Sequence, residues 1–346
     1  MITRRWFIGG AAACGAFGGV KAFAAQAGKF AGKPKVRVGI LSAVHIRYDP
    51  GAGKLVGYSD DKTFIHALEW FRDQGVDGVM VAGDMADMGT VLELQGVADA
   101  WYKVFPNDKA PDGRKVERVV VYGNHDWGGE HYKPFVKEKY PNETDLSKRV
   151  LIGRPKEHWE RIFHEPWEHV FRKDVKGYAF IAAQWSNGWC RGKDEVGIQG
   201  LEKFFAAQKG KIDPKLPFFY FQHPHPKNTC YGSWAWGHDS GVSTKILSGY
   251  SNAVAFSGHT HYSITDQRSV WQGAFTSLGT ASLRWLSLPS GRENGKGFKS
   301  IGHRMSDVAS DYGGAQGMLM NVYDDYMVFE RWDFSRQEKL GDDWTV

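Results

Sequence analysis

The sequence predicts an α/β fold in which two sheets pack as one sandwich, and three observations predict it. Apolar runs of strand length alternate with segments of helical spacing through the first half of the chain, which implies βαβ units and a largely parallel sheet. The chain from residue 269 to 346 reads as mostly β. No Pro/Ser-rich linker divides residues 28–346, so they are expected to form a single domain. A content of 42% hydrophobic and 24% charged residues over 346 positions is a globular balance. It excludes disorder, collagen-like repeats and coiled coil.

Each element follows from its own pattern. Val36–Leu41 is an unbroken apolar strand. Residues 61–74 place Phe64, Ala67, Leu68 and Phe71 on one helical face and stop at Gly75. Residues 79–82 form a second strand, Val91–Val104 a second helix and 119–122 a third strand. Residues 127–175 are polar, aromatic and basic without a clear period, and are expected to be an insertion over one edge. Strands follow at 178–184 and 217–222, with a helix between them carrying Ile198, Leu201, Phe204 and Phe205. A strand at 253–256 and β segments at 269–277, 318–323 and 327–334 complete the chain.

Chemistry-bearing residues stand just past the predicted strands. After the first comes Ser42-Ala43-Val44-His45, after the second Gly83-Asp84-Met85-Ala86-Asp87, and after the third Gly123-Asn124-His125-Asp126. Later strands run into Gln222-His223-Pro224-His225 and Gly258-His259-Thr260-His261. The carboxyl ends of strands in an open α/β sheet share one crevice. Five ligand-bearing loops are therefore expected to converge on one point.

These blocks resemble the calcineurin-like metallophosphoesterase family, whose pattern is Asp-x-His, Gly-Asp-x-x-Asp, Gly-Asn-His-Asp/Glu, a later His, then Gly-His-x-His. The likeness runs from about residue 36 to 261, and residues 262–280 look like the family's continuation. It implies a double β-sandwich flanked by helices, with two metals at the strand ends. It further implies that Asp84 bridges both metals, that Asn124, His223 and His259 complete one site, and that His45 and His261 serve the other. His125 would be the general acid, and Asp87 would orient and charge its imidazole. Mixed nitrogen and oxygen ligands suit Mn, Fe or Zn better than Ca. The implied activity is metal-dependent hydrolysis of phosphate mono- or diesters of small phosphorylated substrates, with water activated between the cations.

The chain departs from the family at one place. Ala43 stands where the family has Asp, two residues before His45. Strand alternation would put both on one face, leaving a methyl where a carboxylate ligand is expected. The expectation is an asymmetric centre, firm at Asp84, Asn124, His223 and His259 and weak at its neighbour. Asp49 could reach in, although a residue before Pro50 reads more simply as solvated. The alternative is a non-catalytic metal-binding or scaffolding relative. His225 either touches substrate or packs. Trp185, Trp189, Tyr231, Trp234 and Trp236 either pack their loops or wall a substrate pocket.

The N-terminus resembles a twin-arginine export signal. Thr3-Arg4-Arg5-Trp6-Phe7-Ile8 precedes a mild apolar stretch, then Lys21 and small residues to Ala27. The stretch is shorter than the roughly 20 residues of a membrane span, so no stable anchor is expected. Residues 1–27 are read as the signal, the twin-arginine machinery as a partner, and the periplasm or another extracytoplasmic space as the destination. The whole chain carries a formal charge of +5. Cutting after Ala27 removes Arg4, Arg5 and Lys21 and no acid, so the remainder is near neutral and a nucleic-acid partner is not expected. Cys190 and Cys230 would remain, and their pairing is not fixed by the sequence.

Overall fold

The computed structural model describes residues 32–49, 54–55, 62–127, 155–185, 198–232, 237–286 and 314–346. The signal at 1–27, together with Trp189, Cys190, Trp234 and Trp236, lies outside them. Among the described residues no helix is long and apolar enough to cross a membrane.

The first sheet is built on β1 (Val36–Leu41), β4 (Gly78–Ala82) and β5 (Glu117–Val121), which run parallel in that order. Two late strands, β12 (Gln316–Val322) and β13 (Met327–Asp333), extend it antiparallel on the other side of β1. The short strands β14 (Glu338–Lys339) and β15 (Trp344–Thr345) both pair with β13. The second sheet contains β6 (Val170–Val175), β7 (Tyr178–Ala183), β8 (Phe218–Phe221), β9 (Ala253–Ser257), β10 (Val270–Gln272) and β11 (Thr276–Gly279). Its order is β10-β11-β9-β8-β7-β6, parallel from β7 through β11 and antiparallel at both edges. A two-stranded ribbon of β2 (Tyr48–Asp49) and β3 (Lys54–Leu55) stands apart.

Alternation along the strands builds the layers. Val36, Val38 and Ile40 of β1, Met80 of β4, Phe219 and Phe221 of β8, and Met318 and Met320 of β12 share the apolar layer between the sheets. Phe256 and Phe329 meet across it with ring centroids 6.0 Å apart. The intervening residues, such as Val79 and Val81 of β4 and Phe218 and Tyr220 of β8, join the cluster formed with the helices. Helix α1 (Lys62–Asp73) lays Phe71 over β1, so close that a Cβ at Gly39 would lie 2.6 Å from the ring. Helix α2 (Val91–Val104) opens with a capping box. Glu93 N donates to Thr90 Oγ1 at 3.2 Å, and Thr90 N donates to Glu93 Oε2 at 3.1 Å. The loop after β4 therefore ends on a fixed post.

The architecture agrees with the sandwich expected, and three details differ. The sheets are mixed rather than largely parallel, because the antiparallel β12 and β13 close over β1. Residues 269–277 are not one strand: a turn at Gly273 folds β10 back on β11. Residues 155–175 are ordered into α3 (Pro155–Phe163) and the edge strand β6. Trp159 of α3 packs edge-on against Tyr122 at 5.0 Å. An edge strand half open to solvent carries charged residues such as Arg172, Lys173 and Asp174, which hid its period.

Truncating Phe71 to Ala is expected to lower the unfolding free energy by about 3–5 kcal/mol, read as a drop in urea midpoint with the slope unchanged.

Candidate metal centre

The loops after β1, β4, β5, β8 and β9 meet at the carboxyl ends of their strands. β1 ends at Leu41, and residues 43–46 run beside residues 83–85. Ala43 N donates to Gly83 O at 2.9 Å, His45 N to Asp84 O at 3.0 Å and Ile46 N to Met85 O at 2.9 Å. The backbone bends sharply along this rim. Ala43, His45, Asp84, His259 and His261 all have φ between 49° and 68°, a region uncommon for residues other than glycine. The alternation expected of residues 43 and 45 therefore does not apply, since neither lies in a strand. Two glycines make the approach sterically feasible. A Cβ at Gly83 would strike the His223 ring, and one at Gly123 would strike Asp84 Oδ1.

Six side chains converge there. Asp84 Oδ2 lies 3.0 Å from His223 Nε2 and 3.6 Å from His45 Nε2. His223 Nε2 is also 3.0 Å from Asn124 Oδ1 and 3.1 Å from His259 Nδ1. His45 Nε2 is 3.1 Å from His261 Nε2. Asp84, His223 and His259 thus form one group, and His45, Asp84 and His261 another, with Asp84 common to both. These six are the ligands the family resemblance implied; of the other two strand-end histidines, His125 lies beside the group and His225 outside it. His223 Nδ1–H donates to Ala82 O at 2.8 Å, which turns its Nε2 lone pair toward the group.

Burial and proximity set the charges. Burial pulls His45 down to about 4 and His261 well below the usual imidazole range, so both are neutral near pH 7. Burial disfavours the Asp84 anion, but His223 and His125 outweigh it and hold the carboxyl well below the ordinary range. Asp126 is fully buried and pushed up to about 7 by burial and by the nearby Asp84 charge. It accepts from the main-chain N–H groups of Gly123, Ala86 and Met85 at 2.7, 2.7 and 3.2 Å. That carboxyl ties the second and third loops together. The sequence displayed it within Gly-Asn-His-Asp, but nothing there distinguished a loop tie from a ligand.

His125 lies beside the cluster. Its N–H donates to Asp84 Oδ1 at 2.9 Å, and its ring Nδ1 meets the main-chain carbonyl of Asp87 at 2.6 Å. Asp87 meets this ring through its backbone carbonyl, and a carboxylate oxygen also lies within 4.8 Å of a His125 ring nitrogen. Oδ1 lies 3.2 Å from His45 Nδ1 and pairs with Arg284, while Oδ2 is 3.7 Å from Arg47 Nε. Arg284 and its neighbour Trp285 escaped the sequence reading. Their segment carries no motif, and only the fold brings it back to the end of β1.

Other candidates fall outside the cluster. Both ring nitrogens of His225 are engaged, Nδ1 with Ser257 Oγ at 2.6 Å and Nε2 with Thr260 Oγ1 at 2.7 Å, so it braces the 258–261 turn. Tyr231 is buried against His225 and Tyr262, whereas the buried Trp185 ring lies 5.8 Å from that of His223 and 5.7 Å from that of His259. Asp49 sits in β2 opposite Lys54, and its side chain lies outside the described residues. Cys230 is a buried free thiol pushed up to about 12 by burial, hence unreactive at neutral pH.

The donor set fits a cation. Imidazole nitrogens, an amide oxygen and the Asp84 carboxylate point at a common centre, and their mutual hydrogen bonds cannot satisfy that many lone pairs.

Comparisons with known proteins bear on family and fold. The calcineurin-like phosphoesterase model matches residues 36–263. A purple acid phosphatase from yellow lupin (Lupinus luteus) seeds superposes with a TM-score of 0.53 at 14% identity. That superposition covers 90% of this chain and 53% of the lupin chain, so this protein spans about half the length of that enzyme, and the likeness is one of fold. A dimetal phosphatase from Danio rerio gives a TM-score of 0.47 at 11% identity, covering 91% of this chain and 99% of that one. No curated protein sequence matches significantly.

Gly123→Ala is expected to leave the fold intact by circular dichroism and to weaken divalent-cation binding by at least about 100-fold, measured by calorimetry, because the added methyl displaces Asp84.

Proposed function

The chain belongs to the calcineurin-like phosphoesterase family, and on that premise we propose that it hydrolyses phosphoric esters at a metal centre held by Asp84, Asn124, His223 and His259, with His45 and His261 at a second position. The observation that carries this reading is the convergence of those six side chains on one buried carboxylate. Bound there, Mn, Fe or Zn would supply Lewis-acid charge that activates water and neutralises the phosphate. The protein's own groups do the rest. His125, held at Nδ1 by the Asp87 carbonyl, offers Nε2 to protonate the leaving oxygen. Asn124 and the imidazoles of His45, His223, His259 and His261 supply oxygen and nitrogen ligation around Asp84, and the Asp87 carboxylate stands with His45 and His125 beside them.

The two positions are unequal in this reading. Position 43 has φ 50°, a conformation Asp tolerates better than Ala, yet a methyl stands there. The His45 side of the centre therefore has one acid fewer than the family pattern. Export is proposed on the N-terminal motif alone: the paired Arg4 and Arg5 ahead of a small apolar run support passage through the twin-arginine machinery to an extracytoplasmic space. The second reading, a binding relative without turnover, is favoured by Ala43.

Replacing His125 by Ala is expected to cut turnover of an aryl phosphate by roughly 10²- to 10⁴-fold while bound metal, counted by elemental analysis, stays as in the wild type. Equal and negligible rates in both proteins would support the binding relative instead. Metal titration of the stripped protein should give two unequal equivalents, and Ala43→Asp should tighten the weaker by about 10- to 100-fold. Two equally tight wild-type equivalents would contradict the asymmetry.

A further inference from the structure

Residues 280–286 leave β11 and lie along the end of β1 as a strap. Thr280 Oγ1 donates to Ser42 Oγ at 2.8 Å, Leu283 N to Ser42 O at 3.1 Å, and Ser282 Oγ to Ala43 O at 3.2 Å. Arg284 N then donates to Ser282 Oγ at 3.0 Å. The strap delivers two side chains to the metal centre. The Trp285 ring lies 4.2 Å from that of His261 and 4.8 Å from that of His45, centroid to centroid. The Arg284 guanidinium carbon stands 4.5 Å from the Trp285 ring centroid, which fixes its plane.

Arg284 is only partly used. Nη1 meets Asp87 Oδ1, whereas Nε and Nη2 take no hydrogen-bond partner among the described residues, and 14% of the side chain stays open. A held guanidinium with donors to spare, beside a cluster of metal-ligand types, is a receiver for phosphate oxygen. The surrounding charge adds a preference. Asp84 and Asp87 are the carboxylates of the candidate ligand groups, and Asp87 is shared by Arg284, Arg47 and His45. A guanidinium gains more Coulomb attraction from the more highly charged anion. A phosphate monoester is mostly dianionic above pH 6 or so, while a diester carries a single charge.

We propose that Arg284 is a substrate-binding residue that donates to a non-bridging phosphate oxygen and makes the centre prefer dianionic monoesters to monoanionic diesters. This rests on the phosphoesterase reading above and names its substrate class. Trp285 serves as the platform that keeps the guanidinium in place.

The test compares the metal-loaded wild type with Arg284→Gln and Arg284→Lys, metal content being measured in each. The substrates are p-nitrophenyl phosphate and bis(p-nitrophenyl) phosphate, and inorganic phosphate is titrated by calorimetry. Arg284→Gln is expected to lower monoester kcat/KM and phosphate affinity by roughly 10- to 100-fold. Diester kcat/KM should fall by no more than about 3-fold, the low end of what a single neutral hydrogen bond contributes. Arg284→Lys should recover part of the loss, and it carries the same comparison if the Gln variant loses its metal. Equal losses on both esters, or unchanged phosphate affinity, would overturn the assignment while leaving the hydrolase reading in place. If no preparation turns over either ester, the hydrolase reading fails, and the phosphate titration alone decides whether Arg284 binds the anion.

Discussion

One buried carboxylate organises the molecule. Asp84 is 1% exposed, and a charge so enclosed is costly unless partners meet it on every side. The chain satisfies one oxygen with the His125 N–H and surrounds the other with the rings of His223 and His45. Each partner arrives from a different strand end, so the demand of a single side chain fixes the relative placement of four loops. The same demand explains why glycine occupies positions 83 and 123, where any side chain would displace the carboxylate or its neighbour.

The rim is held rigidly and under strain. Left-handed backbone at Ala43, His45, Asp84, His259 and His261 costs of order 1–3 kcal/mol per residue. The main-chain bonds between residues 43–46 and 83–85 and the Asp126 carboxyl offset part of it, and the layers beneath contribute the rest. Val38, Ile40, Phe180, Phe219, Phe221 and Phe256 are fully buried between the sheets, and the capping box at Thr90 and Glu93 fastens one loop to a helix. Ligand geometry is thus set by β-sheet packing rather than by any flexible adaptation around the centre.

Much of this was legible in the sequence. β1 and α2 fall on the residues their patterns indicated, because a continuous apolar run and a helical stripe are strong local signals. His45, His223, His259 and His261 meet Asp84 and Asn124 because parallel strands deliver their carboxyl ends to one side. What stayed hidden depends on contacts distant in sequence. The mixed character of the first sheet requires β12 to find β1. The role of the Asp87 carboxylate depends on Arg284, 197 positions away. His225 shares a run with His223 yet braces a turn, a distinction that only Ser257 and Thr260 reveal.

The place of β12 has a consequence for how the polypeptide matures. β1 lies in the interior of its sheet, flanked by β4 on one side and by Gln316–Val322 on the other. A nascent chain still short of those residues presents β1 with a bare row of main-chain donors and acceptors, a template for pairing with other chains. The first sheet can close only after the ribosome has delivered residues 316–322, about 280 positions after β1. Premature release would leave an open, apolar edge that invites aggregation.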